Sequence, residues 1–354
     1  MSRFLKEKYR GFSEYTPGEQ PKNMKYIKLN TNESPYPPSP GVFAAVNELE
    51  VSKLNLYPDP EGLELKRSIA ESFGVKPENV FLSNGSDDIL NFAFMAFSKG
   101  DKAVFPEISY GFYEVFSELH GVEYKKIPLK PDFSIDPSDY FNTGALTVIA
   151  NPNAPTGLCL SLDSVEEILK NNPDNVVVID EAYVDFGAES AVKLIDKYDN
   201  LLVVQTFSKS RSMAGARLGF AFAGKDIISD LEKIKYSTNP YNINRLTMVA
   251  GIAAITDGDY YSDNCKKIIS TRNRLSSELK NMGYTLTDSK ANFIFAKSPK
   301  ISGKDVYEKL KNKGILIRHF SLDKIADYNR ITIGNDEQAD ALLTALKEIE
   351  NENR

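Results

Sequence analysis

Between about residue 60 and residue 235, short β-branched runs alternate with amphipathic stretches, and no other feature constrains the chain as strongly. Strands are predicted over residues 80–82, 103–105, 146–150, 176–179 and 201–205. Residues 63–73, 87–97 and 165–169 place apolar side chains three and four apart, as one face of a helix requires. Strands and helices in this alternation build a mainly parallel sheet, because each parallel crossover needs a dozen or more residues and a helix supplies them. The fold class is therefore α/β. Beyond about Asn242 the pattern changes to longer helices, then strands over 292–296, 315–317 and 331–333, and a last helix. Asn335-Asp-Glu-Gln338 has the form of a capping box, and Ala339, Leu342, Leu343, Leu346 and Ile349 after it share one face. Three segments result: an arm over 1–40, rich in Pro, Gly and Asn from residue 15; a large domain over 41–241; and a small α+β domain over 242–354.

Charge and composition remove whole classes of function. The net charge of −6 is spread without a basic block, so neither nucleic acid nor an anionic membrane is an expected partner. Cys159 and Cys265 are the only cysteines and His120 and His319 the only histidines, too few for a disulfide framework, a zinc site or a Ser-His-Asp triad. No metal is expected. The first residues interrupt their apolar side chains with charges, and no apolar run reaches the roughly 18 residues of a membrane span, so the expected compartment is the cytoplasm.

The residues that carry chemistry sit at predicted strand ends, where open α/β sheets bind ligands. Thr206-Phe-Ser-Lys209 follows the strand 201–205, and Arg217 comes eight residues later. Two hydroxyls and a guanidinium suit a phosphate, while the lysine can reach an adjacent carbonyl. Asp180-Glu-Ala-Tyr183 ends the strand before it, putting a carboxylate where a buried charge needs a partner. Asp180 either caps the next element or pairs with a cationic ring nitrogen. Leu82-Ser-Asn-Gly-Ser-Asp87 joins a strand to a helix through a glycine turn, which points the first N–H groups of Ser86 and Asp87 outward as an anion site or leaves them as a plain turn. Tyr110 follows the strand 103–105 and is either packing or a stacking surface for a planar ring.

In their order along the chain these segments resemble the histidinol-phosphate aminotransferase family of the fold-type I enzymes, which use pyridoxal 5′-phosphate. Further markers are Tyr15-Thr-Pro-Gly18, Asn32-Glu-Ser-Pro-Tyr-Pro-Pro-Ser-Pro40, Tyr57-Pro-Asp-Pro60, Asn151-Pro-Asn-Ala-Pro-Thr-Gly157 and Asn329-Arg-Ile-Thr-Ile-Gly334. The resemblance implies a large domain built on a mainly parallel seven-stranded sheet and a homodimer in which Tyr57 reaches the partner's cofactor phosphate. It makes Lys209 the Schiff-base lysine and proton shuttle, Asp180 the partner of the pyridinium and Tyr183 that of the ring's phenolic oxygen. Tyr110 stacks on the ring; Ser86, Asp87, Thr206, Ser208 and Arg217 hold the phosphate; Tyr15, Asn32, Arg318 and Arg330 face the substrate. The substrates implied are histidinol phosphate and 2-oxoglutarate, in histidine biosynthesis. An aromatic amino-acid aminotransferase and a threonine-phosphate decarboxylase-like lyase remain as alternatives. One position departs from the pattern: Ala154 stands where many members have an asparagine that bonds the phenolic oxygen, which leaves Asn153 or Asn151 as candidates for that bond.

Overall fold

The computed structural model describes residues 2–11 and 14–352. In chain order its strands are β1 (Ile27–Lys28), β2 (Val80–Ser83), β3 (Lys102–Pro106), β4 (Glu123–Ile127), β5 (Leu146–Ala150), β6 (Val177–Asp180), β7 (Leu201–Thr206), β8 (Gly219–Ala223), β9 (Thr285–Leu286), β10 (Phe293–Lys297), β11 (Ile315–Leu316), β12 (Arg318–His319) and β13 (Tyr328–Thr332). Strand β7 shows why the central runs are continuously apolar. Leu201 and Val203 pack into one cluster and Leu202 and Val204 into another, on opposite faces of the sheet. Alternate side chains leave a strand on opposite sides, so a strand covered on both faces must be apolar throughout.

The resulting seven-stranded sheet has the order β2-β8-β7-β6-β5-β3-β4. Strands β4, β3, β5, β6 and β7 pair in parallel, and β8 is antiparallel to both β7 and β2. Two antiparallel steps return β2 to the direction of β7, so its carboxyl end lies on the same edge as theirs. That edge also receives the start of β8, since Gly219 pairs with both Ser83 and Thr206. Helices Leu63–Phe73 and Leu162–Lys170 cover one face of the sheet, and Ser86–Phe97, Phe112–His120 and Lys225–Thr238 the other.

A second, four-stranded antiparallel sheet has the order β12-β13-β10-β9, with the terminal helix Asp336–Glu352 in its core. The capping box is formed: Gln338 N–H donates to Asn335 Oδ1 at 2.9 Å, and Asn335 N–H to Gln338 Oε1 at 3.0 Å. Helix Arg245–Thr256, beyond residue 242, packs Ala250, Ala254 and Ile255 against Leu65 and Ile69 of the first core. The first hydrophobic core thus runs past the boundary expected at residue 242, because this helix turns its small residues toward helix Leu63–Phe73. The arm is not a separate layer: β1 pairs in parallel with β11, and Thr332 N–H donates to the Leu29 carbonyl at 2.9 Å. No helix among the described residues is long and apolar enough to cross a membrane.

Candidate functional site

A cavity of about 520 Å³ opens at the carboxyl edge of the large sheet and is closed on its far side by the arm and by β12 and β13. It is lined by Tyr15, Asn32, Ser86, Asp87, Tyr110, Asp180, Tyr183, Thr206, Ser208, Lys209, Arg217, Arg318 and Arg330, residues spread over more than 300 positions of sequence. Two expected site residues lie elsewhere. Asn153 is buried outside the lining: its Nδ2 donates to the Ile108 carbonyl at 2.9 Å and to Thr156 Oγ1, and its Oδ1 accepts from Ser109. Asn151 is committed likewise, to the backbone of Leu160. Tyr57 is 78% exposed and stacks on Tyr241 with ring centroids 4.5 Å apart.

The anion end of the cavity is made by backbone. Gly85, at φ 91°, turns the chain from β2 into helix Ser86–Phe97, whose first N–H groups have no intrahelical partner and face a negative charge favourably. The Arg217 guanidinium lies over this turn, with Nη2 3.0 Å from Asp87 Oδ2, and a β-carbon at Gly85 would fall 2.7 Å from it. A β-carbon at Gly219 would collide with the backbone of Gly85 and Ser86, so the strand start presses directly on the turn. Thr206 and Ser208 add hydroxyls 3.0 Å apart from the end of β7.

The middle of the cavity holds two titratable groups from adjacent strand ends. Asp180 is 5% exposed; burial pushes its carboxyl up to about 6, against hydrogen bonds from Tyr113 Oη at 2.7 Å and Ala182 N–H at 3.2 Å. Its neighbour Glu181 points away from the cavity and accepts bonds from Ser190, Ala191 and Gln205. Desolvation pulls the Lys209 ammonium down to about 8, with Arg330 adding to the effect and Glu33 opposing it. Among the described residues the amine bonds only the Thr31 carbonyl, at 3.2 Å. Tyr183 lies beside it, with the ring centroid 5.8 Å from Nζ, and its hydroxyl accepts from Asn32 Nδ2 at 3.0 Å.

The third part is a pair of arginines. Arg318 and Arg330 face each other across β12 and β13 as register partners, and both guanidiniums approach the ring of Phe320, at 5.8 and 5.9 Å. Neither has an acidic partner among the described residues. Arg318 bonds the carbonyls of Thr16 and Pro17, Arg330 bonds that of Asn30, and Arg330 Nε is buried with no partner. A buried cation left this way is a site for an anionic ligand. A planar, phosphorylated carbonyl compound fits these parts: anion cradle, an amine bonded only to a carbonyl among the described residues, buried carboxylate and a flanking tyrosine. No group of three or more His, Cys, Asp or Glu side chains that could hold a metal occurs among the described residues.

Sequence reasoning missed Tyr113, Thr332, Phe320 and the Thr31 carbonyl. Tyr113 alone left a signal, an aromatic three positions after Tyr110 at the start of helix Phe112–His120. Thr332 and the Thr31 carbonyl act through contacts between distant segments, and Phe320 through the nearby Arg318 and Arg330.

The sequence profile described as aminotransferase class I and II matches residues 24–346. A histidinol-phosphate aminotransferase of Brachyspira hyodysenteriae is 55% identical over 99% of this chain and 99% of its own. One from a Marinomonas species is 49% identical, over 98% of this chain and 99% of its own. The crystal structure of the histidinol-phosphate aminotransferase from Clostridium acetobutylicum superposes with a TM-score of 0.85 at 26% identity, covering 92% of this chain and 99% of that one.

Proposed function

The chain belongs to the class I and II aminotransferases and, among them, to the histidinol-phosphate aminotransferases, and from that premise we propose that its cavity binds pyridoxal 5′-phosphate on Lys209. The enzyme transfers the amino group of histidinol phosphate to 2-oxoglutarate, giving imidazole acetol phosphate and glutamate. The arrangement that carries the assignment of the cofactor is the meeting of an acid-free lysine and a buried aspartate on neighbouring strand ends, between an anion cradle and two unpaired arginines.

When bound, the cofactor supplies a carbonyl that condenses with amines and a ring that takes up electron density from the α-carbon. The N–H groups of Ser86 and Asp87, with Thr206, Ser208 and Arg217, hold its phosphate, and Tyr110 flanks its ring. Asp180 holds a proton on the ring nitrogen; burial of the pair excludes water and strengthens their attraction. Tyr183 donates to the phenolic oxygen. Lys209, its basicity lowered by desolvation, would be the base that takes a proton from the substrate α-carbon. Arg330 and Arg318 bind the phosphate of one substrate and the carboxylate of the other, which explains how one cavity serves both.

We further propose a homodimer. Phe43, Leu49, Leu54, Leu56 and Tyr57 expose between 53% and 78% of their surface within one short segment. That is an apolar patch which a second copy would cover, carrying Tyr57 to the partner's phosphate. Half-reactions of the purified protein with histidinol phosphate, phenylalanine, tyrosine, glutamate and phosphothreonine, followed by loss of the cofactor's visible absorbance, test the substrate assignment. Histidinol phosphate and glutamate are expected to react fastest. Preference for an aromatic amino acid, or carbon dioxide release from phosphothreonine, would overturn it.

A further inference from the structure

Tyr183 can serve the phenolic oxygen only if its single hydroxyl proton points into the cavity, and the structure contains a device that dictates this. Asn32 is fully buried in a left-handed conformation, φ 55°, which asparagine tolerates better than most residues. Its backbone N–H donates to Thr332 Oγ1 at 2.9 Å, and its carbonyl accepts from Asn292 Nδ2 at 3.0 Å. The Thr332 hydroxyl accepts that N–H on one lone pair and donates its own proton to Asn32 Oδ1, 3.1 Å away. In this network Oδ1 faces Thr332, and Nδ2 faces Tyr183 Oη at 3.0 Å. A tyrosine oxygen that accepts from the amide must send its own proton elsewhere, and no protein acceptor for it occurs among the described residues. The cavity is what remains. Beside Tyr183, Ala154 presents only a methyl, and Asn151 and Asn153 are bonded outside the lining.

We propose that Asn32 is a positioning residue which, seated by Thr332, orients the Tyr183 hydroxyl as a donor to the cofactor's phenolic oxygen. The inference rests on the assignment of pyridoxal phosphate to Lys209 and of Tyr183 to that oxygen. A protein donor there weakens the oxygen's hold on the cofactor's dissociable proton, so the pH midpoint of the visible absorbance reads the orientation directly.

The experiment compares holoenzyme variants by that midpoint and by affinity for pyridoxal phosphate. Tyr183→Phe raises the midpoint by about half a unit to one unit, the size of one neutral hydrogen bond. Thr332→Val, which frees the amide to turn, and Asn32→Ala each raise it by a measurable part of that shift, and neither adds to it in the Tyr183→Phe background. Asn32→Asp, whose carboxylate takes the tyrosine proton for itself, raises it at least as far as Tyr183→Phe. Asn32→Asp keeps both backbone bonds of residue 32 and Thr332→Val keeps the one from Asn292, so both report even if Asn32→Ala loosens the arm. Shifts that add fully in the Tyr183→Phe background overturn the proposal, as does an unmoved midpoint in both Thr332→Val and Asn32→Asp while Tyr183→Phe moves it. An unmoved midpoint in Tyr183→Phe itself overturns the role of Tyr183 and the proposal with it. Borohydride reduction that labels a lysine other than Lys209 overturns the cofactor assignment instead.

Discussion

Replacing Tyr113 by phenylalanine removes one oxygen atom, yet its effect on stability should depend on pH in a way no ordinary core substitution does. Tyr113 is wholly buried and donates to Asp180 Oδ2 at 2.7 Å, leaving only the Ala182 N–H on the other carboxylate oxygen. A hydrogen bond to a charged acceptor contributes about 1.5 to 3 kcal/mol. The excess of that bond over a neutral one, at 1.36 kcal/mol per unit, sets the shift: its loss raises the Asp180 pKa by roughly half a unit to two units, from about 6 to at most about 8. Both values lie above that of an unfolded aspartate, near 3.9. The stability that belongs to the protonated carboxyl is therefore present at low pH and lost as pH rises through the folded pKa. Wild type loses it through about pH 6, and the variant loses more of it, at higher pH. Urea denaturation of the cofactor-free protein should show Tyr113→Phe destabilised by at most about 1 kcal/mol at pH 5, where only a neutral hydrogen bond is missing. At pH 8.5 the difference should widen to about 1.5 to 3 kcal/mol. An equal difference at both pH values would mean that Tyr113 does not hold Asp180 ionised.

Lys209→Ala is expected to keep pyridoxal phosphate noncovalently, since neither the anion cradle nor Asp180 involves the amine. Turnover should fall by at least about a thousandfold, as seen in single-turnover assays, and borohydride should label wild type only. Arg330→Lys exchanges a planar fork for a point charge, so kcat/KM for both half-reactions should drop roughly tenfold to a hundredfold. Arg318→Ala should harm histidinol phosphate more than glutamate, because a doubly charged phosphate uses two guanidiniums more fully than a carboxylate does. Equal losses for the two donors would remove Arg318 from discrimination. Ala154→Asn adds an amide at the edge of the cavity and should lower the pH midpoint of the visible absorbance by about half a unit to one unit, visible in a spectral titration.

Strands β5, β6 and β7 were legible because a strand buried on both faces must be apolar at successive positions, and helix Leu63–Phe73 because its apolar residues keep helical spacing. Strands β4 and β8 were not. Glu123-Tyr-Lys-Lys-Ile127 carries the charges of an edge strand, and Gly219-Phe-Ala-Phe-Ala223 has two small residues and a glycine where β-branched side chains would signal a strand. Residues at strand ends, such as Asp180 and Lys209, could be placed near a ligand because their position follows from local structure. Asn153 shows where such reasoning fails: its neighbours in sequence say nothing of the Ile108 carbonyl and Ser109 hydroxyl that occupy its amide. Tyr113 reaches Asp180 from 67 residues away and Thr332 reaches Asn32 from 300, and no local pattern announces either meeting.

That last separation has a consequence for the order in which the protein is made. Synthesis proceeds from the amino end, and domains fold as units while it continues. The anion cradle, Asp180 and Lys209 all belong to the sheet complete at Ala223, so they can assemble while the chain is still growing. Thr31 and Asn32 are translated before any of them. Their seat emerges much later, Asn292 after 260 residues and Thr332 after 300. Closing so long a loop is slow, and until it closes the backbone of Asn32 lacks both partners that seat it. The amine of Lys209 then lacks the carbonyl that fixes it, and Tyr183 lacks the amide that aims it. The oldest residues of the site are the last to arrive, and a chain cut short before residue 332 would carry the lysine and the aspartate without the wall that sets their direction.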